Sequence, residues 1–182
     1  MGGVPLIFKF CPSCGAGSPA FLESKRWHCK YCGFDYFHNV ATAAGIIIDR
    51  LGEIVFIERA KEPQKGKLGL PGGFVDPGER AEDAALRECR EEIDWRPPSL
   101  AFLGSYPNAY EYGGVSYNTC DLYFYYRFPK GADMPRFSLN DGEAAAVRLI
   151  SLAKLRDSEL AFTSLAQAIH AYRKLTKESL SR

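Results

Sequence analysis

This chain of 182 residues has almost no surplus of one charge: 23 Lys and Arg stand against 22 Asp and Glu, a net of +1 at pH 7. That balance argues against a broad electrostatic footprint for nucleic acid. It also lacks any apolar run near the roughly 18 residues of a membrane span. The opening MGGVPLIFKF has neither a basic n-region nor an adequate apolar stretch, so it does not read as a secretory signal. Internal repeats and low-complexity tracts are missing too, apart from a pair of short cysteine motifs. These absences leave a cytoplasmic protein, with no membrane partner, as the expectation. What remains is ordinary soluble composition, 46% apolar and 25% charged. The length suits one domain with a small appendage, and it can bury a core without staples.

The stretch Leu70 to Trp95, LPGGFVDPGERAEDAALRECREEIDW, organises the chain. Pro71-Gly72-Gly73 and Asp76-Pro77-Gly78 are turn punctuation. Glu79 to Arg96 then runs without Gly or Pro and is rich in Ala, Leu, Arg and Glu, all good helix formers. Placed on a helix over Glu79 to Ile93, Glu88, Glu91 and Glu92 share one face, with Ala81, Ala84 and Ala85 on the same side. Leu86, Cys89 and Ile93 make the neighbouring apolar seam, while Asp83, Arg90 and Asp94 point to water. Like charges at these spacings destabilise a bare helix. Hard divalent cations offer a reason to gather them, since Mg2+ takes oxygen ligands. The plainer reading is a solvated acidic face screened by Arg87 and Arg90.

Cys11-Pro-Ser-Cys14-Gly and Cys29-Lys-Tyr-Cys32-Gly are two C-x2-C knuckles with fourteen residues between them. That is zinc-site spacing. Four thiolates close a tetrahedral site with no open position, so Zn2+ bound by Cys11, Cys14, Cys29 and Cys32 is expected to be structural. A disulfide framework fits a cytosolic setting poorly. His28 precedes Cys29 and could ligate, although four cysteines suffice. Cys89 and Cys120 read as small core residues.

Val40 to Asp49 and Glu53 to Ala60 read as a hairpin of strands, Leu100 to Tyr106 as a strand, and Pro107 to Gly114 as a tyrosine-rich loop. Val115 to Phe128 alternates as a long strand, with Cys120, Leu122, Phe124, Tyr126 and Phe128 on its core face. Its other face, from Tyr117 to Arg127, is unusually aromatic for a wet surface. Flat rings stack on a nucleobase, so Tyr110, Tyr112 and Tyr117 are base-binding candidates; packing on the ribbon or on a second copy of the chain is the alternative. Arg59, at a strand end before the central stretch, is a candidate for phosphate contact. Ala144 to Ile150 reads as a last strand and Asp157 to Thr176 as a closing helix, with Ser158 a plausible start.

The central stretch resembles the Nudix box, G-x5-E-x7-R-E-U-x-E-E-x-G-U with U apolar. Gly73, Glu79, Arg87-Glu88, Cys89 and Glu91-Glu92 take its positions in order. Asp94 replaces the late glycine, so the helix end there is expected to be built differently. The resemblance implies an α/β fold: a Nudix α/β/α sandwich with a mixed sheet over 38–178, preceded by a zinc ribbon over 1–37. It implies hydrolysis of a nucleoside diphosphate linked to another moiety, a small-molecule nucleotide substrate, with Mg2+ or Mn2+ as cofactor. Glu88, Glu91 and Glu92 are the implied ligands, with the Gly72 carbonyl as a further one. Arg87 would orient Glu88 or Glu91 and pair with Glu79. Glu143, or else Asp141, would complete the metal shell or take a proton from the attacking water. A ribbon ahead of a Nudix domain is similar to the NADH pyrophosphatases, but their SQPWPFP string is absent here. The alternatives are a sensing module that kept the fold and lost catalysis, and a cap-trimming enzyme whose ribbon binds RNA.

Overall fold

The computed structural model describes residues 8–140, 142 and 144–180. It divides into two compact units, one made of the segment to Ala41 with Ala109–Asn118, the other of Thr42–Asn108 with the chain from Thr119 onward. In the first unit, β1 (Ala20–Leu22), β2 (Arg26–His28) and β3 (Asp35–Phe37) form an antiparallel sheet in that order. Such short strands cannot enclose a core by themselves. Trp27 on the central strand is buried, with Phe21 at 4.9 Å between ring centroids and Phe8 edge-on at 5.6 Å. Glu23 and Ser24 hold left-handed backbone, as the tight turn between β1 and β2 requires.

The second unit is built on β4 (Ala41–Arg50) and β5 (Glu53–Arg59), joined by a tight turn in which the Gly52 N–H donates to the Asp49 carboxylate at 2.7 Å. Asp49 pairs with Ile54 and Arg50 with Glu53. Alternation along the two strands puts Ile46, Ile48, Val55 and Ile57 on one face, and Ile47 and Phe56 on the other. All six are fully or almost fully buried. Strands that read as an unbroken apolar run are those covered on both sides. Here the covers are helices: α1 (Ala81–Ile93) on the Ile46, Ile48, Val55 and Ile57 face, and α2 (Thr163–Leu180) on the Ile47 and Phe56 face. Burying each such side chain contributes about 1.5–3 kcal/mol relative to exposure.

Beyond the turn, β4 and β5 part, and the following segment fills the gap. Its first half, β6 (Leu68–Gly69), pairs with β5; its second, β7 (Gly72–Phe74), pairs antiparallel with β4 at Ala43–Gly45. The Ile46 N–H donates to the Pro71 carbonyl and the Val75 N–H to the Thr42 carbonyl, extending that join. A Cβ on Gly72 would run into the Ala44 carbonyl oxygen, so only glycine lets β7 lie this close. β8 (Ala101–Tyr112), β9 (Val115–Arg127) and β10 (Ala144–Ser151) complete a seven-stranded sheet in the order β10-β5-β4-β9-β8, with β6 and β7 off that path.

Several expectations from the sequence change. Pro107 does not open a loop: β8 runs through it to Tyr112, tolerable because β8 is the sheet's edge. The second face of β9, too aromatic for a wet surface, packs under α2: Thr119, Asp121 and Tyr123 are buried, Asp121 accepts from Ser164 at the start of α2, and Tyr125 packs on Tyr172. The closing helix begins at Thr163, after a separate 3-10 turn at Asp157–Glu159 that contains Ser158. No helix among the described residues is long and apolar enough to cross a membrane.

Candidate active site and cysteine cluster

Helix α1 begins at Ala81, two residues after Glu79, and that offset frees Glu79 to face back along the helix. Its carboxylate takes a two-pronged grip from Arg87, Nε to Oε1 and Nη2 to Oε2, both at 3.0 Å. It also accepts from the Asp76 N–H at 3.2 Å, closing the Asp76-Pro77-Gly78 turn onto itself. The Arg87 guanidinium, helped by the Asp76 N–H and opposed by partial burial, holds the Glu79 carboxyl below its usual range.

Arg87 does more than close this turn. Its Nη1 reaches Glu88 Oε1 at 2.7 Å and Glu91 Oε2 at 3.1 Å, and its Nη2 reaches the Phe74 carbonyl at 3.1 Å. One guanidinium therefore ties the turn, the helix and β7 together. The surrounding carboxylates, Glu79 foremost, push the Arg87 pKa still higher than an arginine's ordinary value. Glu92 points the other way, into the protein, where it is 4% exposed and accepts from the Gly72 N–H at 2.8 Å. Glu88 lies against Gly73, where a Cβ would stand 2.6 Å from its carboxylate. The two glycines of β7 thus act on two sides, Gly72 toward β4 and Gly73 toward Glu88.

The helix packs by Ala84, Ala85, Cys89 and Ile93, all fully buried. Two alanines expected to line the carboxylate ridge therefore belong to the core. Burial, with a smaller contribution from Glu92, pushes the Cys89 thiol up to about 12, which removes it as a nucleophile. At the other end, Asp94 takes the left-handed conformation (φ 53°, ψ 31°), and its N–H returns to the Arg90 carbonyl. The end is therefore not built differently. Asp94 adopts the backbone a glycine would, and its carboxylate accepts from the Ser138 hydroxyl at 3.2 Å.

Three carboxylates on two turns of helix, beside the peptide of Gly72, form a hard-oxygen donor set suited to Mg2+ or Mn2+. Glu88, Glu91 and Glu92 are not drawn to one point: among the described residues, only the cysteine quartet brings three or more such ligand atoms within 4.8 Å of one another. Arg87 occupies the space between Glu88 and Glu91. Arg59 donates from Nε to the Pro63 carbonyl at 2.8 Å and lies over the Phe162 ring. Tyr110 and Tyr117 are half-buried and belong to the first unit. Tyr112 lies in β8, its side chain outside the described residues, as are Asp141 and Glu143 altogether.

The cysteine cluster is built twice over. In each knuckle the first cysteine's N–H donates to a carbonyl five residues on (Cys11 to Ala16, Cys29 to Phe34), and its carbonyl accepts from a glycine four residues on (Gly15, Gly33). Both glycines are left-handed, at φ 74° and 75°. The four sulfurs come within 4.8 Å, with Cys11 and Cys32 at 3.7 Å and Cys14 and Cys29 at 3.7 Å. The backbone N–H of Cys32, and less that of Tyr31, brings the Cys29 pKa down to about 6 against the opposing effect of burial. This cluster fits a zinc ribbon. His28 does not join it; its Nδ1 bonds the Asp35 carboxylate at 2.9 Å.

A family model described as NUDIX domain matches residues 38–172, three-quarters of the chain and the whole carboxylate ridge. The chain belongs to the Nudix family. It is 27% identical over 97 residues to the NAD-capped RNA hydrolase NudC of Pseudomonas fluorescens, covering 53% of this chain and 35% of that protein. It is 41% identical over 71 residues to the ADP-ribose pyrophosphatase of Methanocaldococcus jannaschii, covering 39% of this chain and 41% of that one. The matched stretch thus spans well under two-thirds of either relative. Among solved structures, the NUDIX domain of Shewanella oneidensis NrtR complexed with ADP ribose superposes with a TM-score of 0.64 at 20% identity, over 77% of this chain and 90% of that one. A NUDIX hydrolase from Nitrosomonas europaea gives 0.58 at 24% identity, over 86% and 85%. These superpositions establish the Nudix α/β sandwich.

Proposed function

We propose that this protein hydrolyses the pyrophosphate bond of a nucleoside diphosphate linked to another moiety, of the ADP-ribose, nucleotide-sugar or dinucleotide type. The observation that carries this is the ridge of Glu88, Glu91 and Glu92, with Arg87 clasping Glu88 and Glu91 and the Gly72 N–H holding Glu92. Glu88, Glu91 and Glu92 would hold Mg2+ or Mn2+, with the Gly72 carbonyl beside them. Such an ion neutralises diphosphate oxygens and lowers the pKa of bound water. Arg87 holds two of the carboxylates, Glu88 and Glu91, in place without itself entering the shell. Glu92, desolvated and fixed by the Gly72 N–H, anchors the ridge to β7. Glu143 is the proposed proton acceptor for the attacking water, Arg59 a proposed phosphate contact, and Tyr110, Tyr112 and Tyr117 the proposed stacking surface for the base. Cys11, Cys14, Cys29 and Cys32 would hold a structural Zn2+ in a ribbon domain over 1–37, ahead of a hydrolase domain over 38–178.

Near-neutral charge argued against nucleic acid, yet relatives named as NAD-capped RNA hydrolases favour a second reading, in which the diphosphate belongs to a capped RNA. Hydrolysis of ADP-ribose, NADH, nucleotide sugars and a NAD-capped RNA, followed by product analysis with Mg2+ or Mn2+, tests both readings. Turnover should vanish on chelation and return with Mg2+ or Mn2+ once zinc is restored. Glu92→Gln should keep the fold and lose orders of magnitude in rate. Wild-type rates in that variant would refute the metal assignment, and a folded, zinc-loaded wild type that cleaves nothing would leave the sensing module as the better account.

A further inference from the structure

The outer face of α1 borders a cleft of about 650 Å3 that the proposed chemistry leaves unused. Arg87 and Glu91 form the wall it shares with the carboxylate ridge, and Arg90, Arg96 and Asn140 line it farther out. The Arg87 charge is already committed to Glu79, Glu88 and Glu91. Asp94, also on the wall, accepts from Ser138. Arg90 and Arg96 differ: both are exposed, and neither side chain forms a hydrogen bond or ion pair with any described residue. Against them stands one carboxylate without such a bond, Asp83.

A cation in the last turn of a helix complements the helix dipole, which would account for Arg90 by stability alone. It does not account for Arg96, which lies beyond the cap. The backbone carrying Arg96 is fixed on both sides. Trp95 stacks on Phe128 at 5.4 Å with its edge partner Phe137 at 5.8 Å, and Pro97 is buried. Two guanidinium groups with five donors each thus face a cleft that opens directly beside Glu91. Guanidinium is the side chain whose planar fork matches phosphate oxygens.

We propose that Arg90 and Arg96 form an anion subsite for phosphate groups that extend the substrate beyond the diphosphate being cleaved. This rests on the pyrophosphatase reading and sharpens it. A substrate with only two phosphates leaves the subsite empty. A dinucleoside polyphosphate fills it with its further phosphates, and a capped RNA fills it with its first phosphodiesters.

The test compares wild type, Arg90→Ala/Arg96→Ala and Arg90→Lys/Arg96→Lys on ADP-ribose, diadenosine tetraphosphate and a short NAD-capped RNA, all with Mg2+. In the alanine pair, kcat/KM should fall about 10-fold or more on at least one phosphate-rich substrate, mainly through KM, as loss of a charge-assisted bond predicts. ADP-ribose should stay within about twofold, the expectation for surface groups it does not touch. The lysine pair should recover much of the loss, and added salt should weaken wild type more than the alanine pair. Loss on the tetraphosphate alone assigns the subsite to polyphosphates, and loss on the RNA alone to a nucleic-acid backbone. An equal loss on ADP-ribose, no loss anywhere, or a wild type that cleaves ADP-ribose but neither extended substrate overturns the subsite. A wild type that cleaves none of the three overturns the pyrophosphatase reading itself.

Discussion

Arg87 is a single cation shared by Glu79, Glu88, Glu91 and the Phe74 carbonyl. Its pairing with Glu79 lowers that carboxyl's pKa, so the sign of the pH effect is fixed. A carboxylate depressed in the folded state adds stability above its unfolded value, ordinarily 4.5, and loses it as pH falls through the lower folded value. Wild type should therefore melt above Glu79→Gln at neutral pH, and the gap should close in acid below both values; a gap that persists there would contradict the clamp. Gly73 supports a different test. Gly73→Ala needs room that only the Glu88 carboxylate can yield, and the far end of that side chain can swing. The variant should fold with a small change in melting temperature yet need roughly 10- to 100-fold more Mg2+ for half-maximal rate, the usual effect of disturbing a ligand's surroundings. An unchanged Mg2+ requirement would show that Glu88 is not held by this contact. The sequence displayed every charge involved here. It could not display that Glu92 would turn inward to the Gly72 N–H while Glu91 stayed in water, because helical phase alone gives both a place on the same ridge.

The elements that could be read from the sequence were those with a long period. Helix α1, the β4–β5 hairpin, β9 and β10 all announce themselves by alternation or by a run of helix formers bounded by turns. β6 and β7 do not: two and three residues, mostly glycine, carry no period, and they exist because β4 and β5 diverge and leave edges to fill. Pro107 misled for a related reason, since a proline is a breaker in a central strand and harmless on an edge, and position in a sheet is a property of the whole fold. The close of α1 is the most testable case. Asp94 holds αL backbone, where a Cβ costs about 1 kcal/mol that glycine avoids and aspartate partly offsets. Asp94→Ala and Asp94→Gly both delete the bond to Ser138, so their difference isolates the backbone. Chemical denaturation should find Asp94→Gly more stable than Asp94→Ala by about 1 kcal/mol. Equal stabilities would mean that the helix ends in some other way in solution.

The whole chain holds two kinds of order. The second unit has a sheet buried on both faces, enough apolar burial for a domain of this size. The first unit has Trp27, a few rings around it, and four sulfurs within 4.8 Å. Four thiols so close gain little from one another, and deprotonating them together without a cation would be costly. The metal is therefore expected to be part of the first unit's folding free energy rather than an addition to it. The two tryptophans make this measurable, because Trp27 lies in the first unit and Trp95, against Phe128 and Phe137, in the second. Purified protein should contain one zinc per chain. Stripping it should shift the emission of a Trp95→Phe variant toward that of exposed indole and leave a Trp27→Phe variant almost unchanged. Restoring zinc, but not Mg2+, should reverse the shift, since thiolates select the softer ion. A Trp27 signal indifferent to chelation would mean that aromatic packing holds the first unit alone, and the cysteine quartet would then need another explanation.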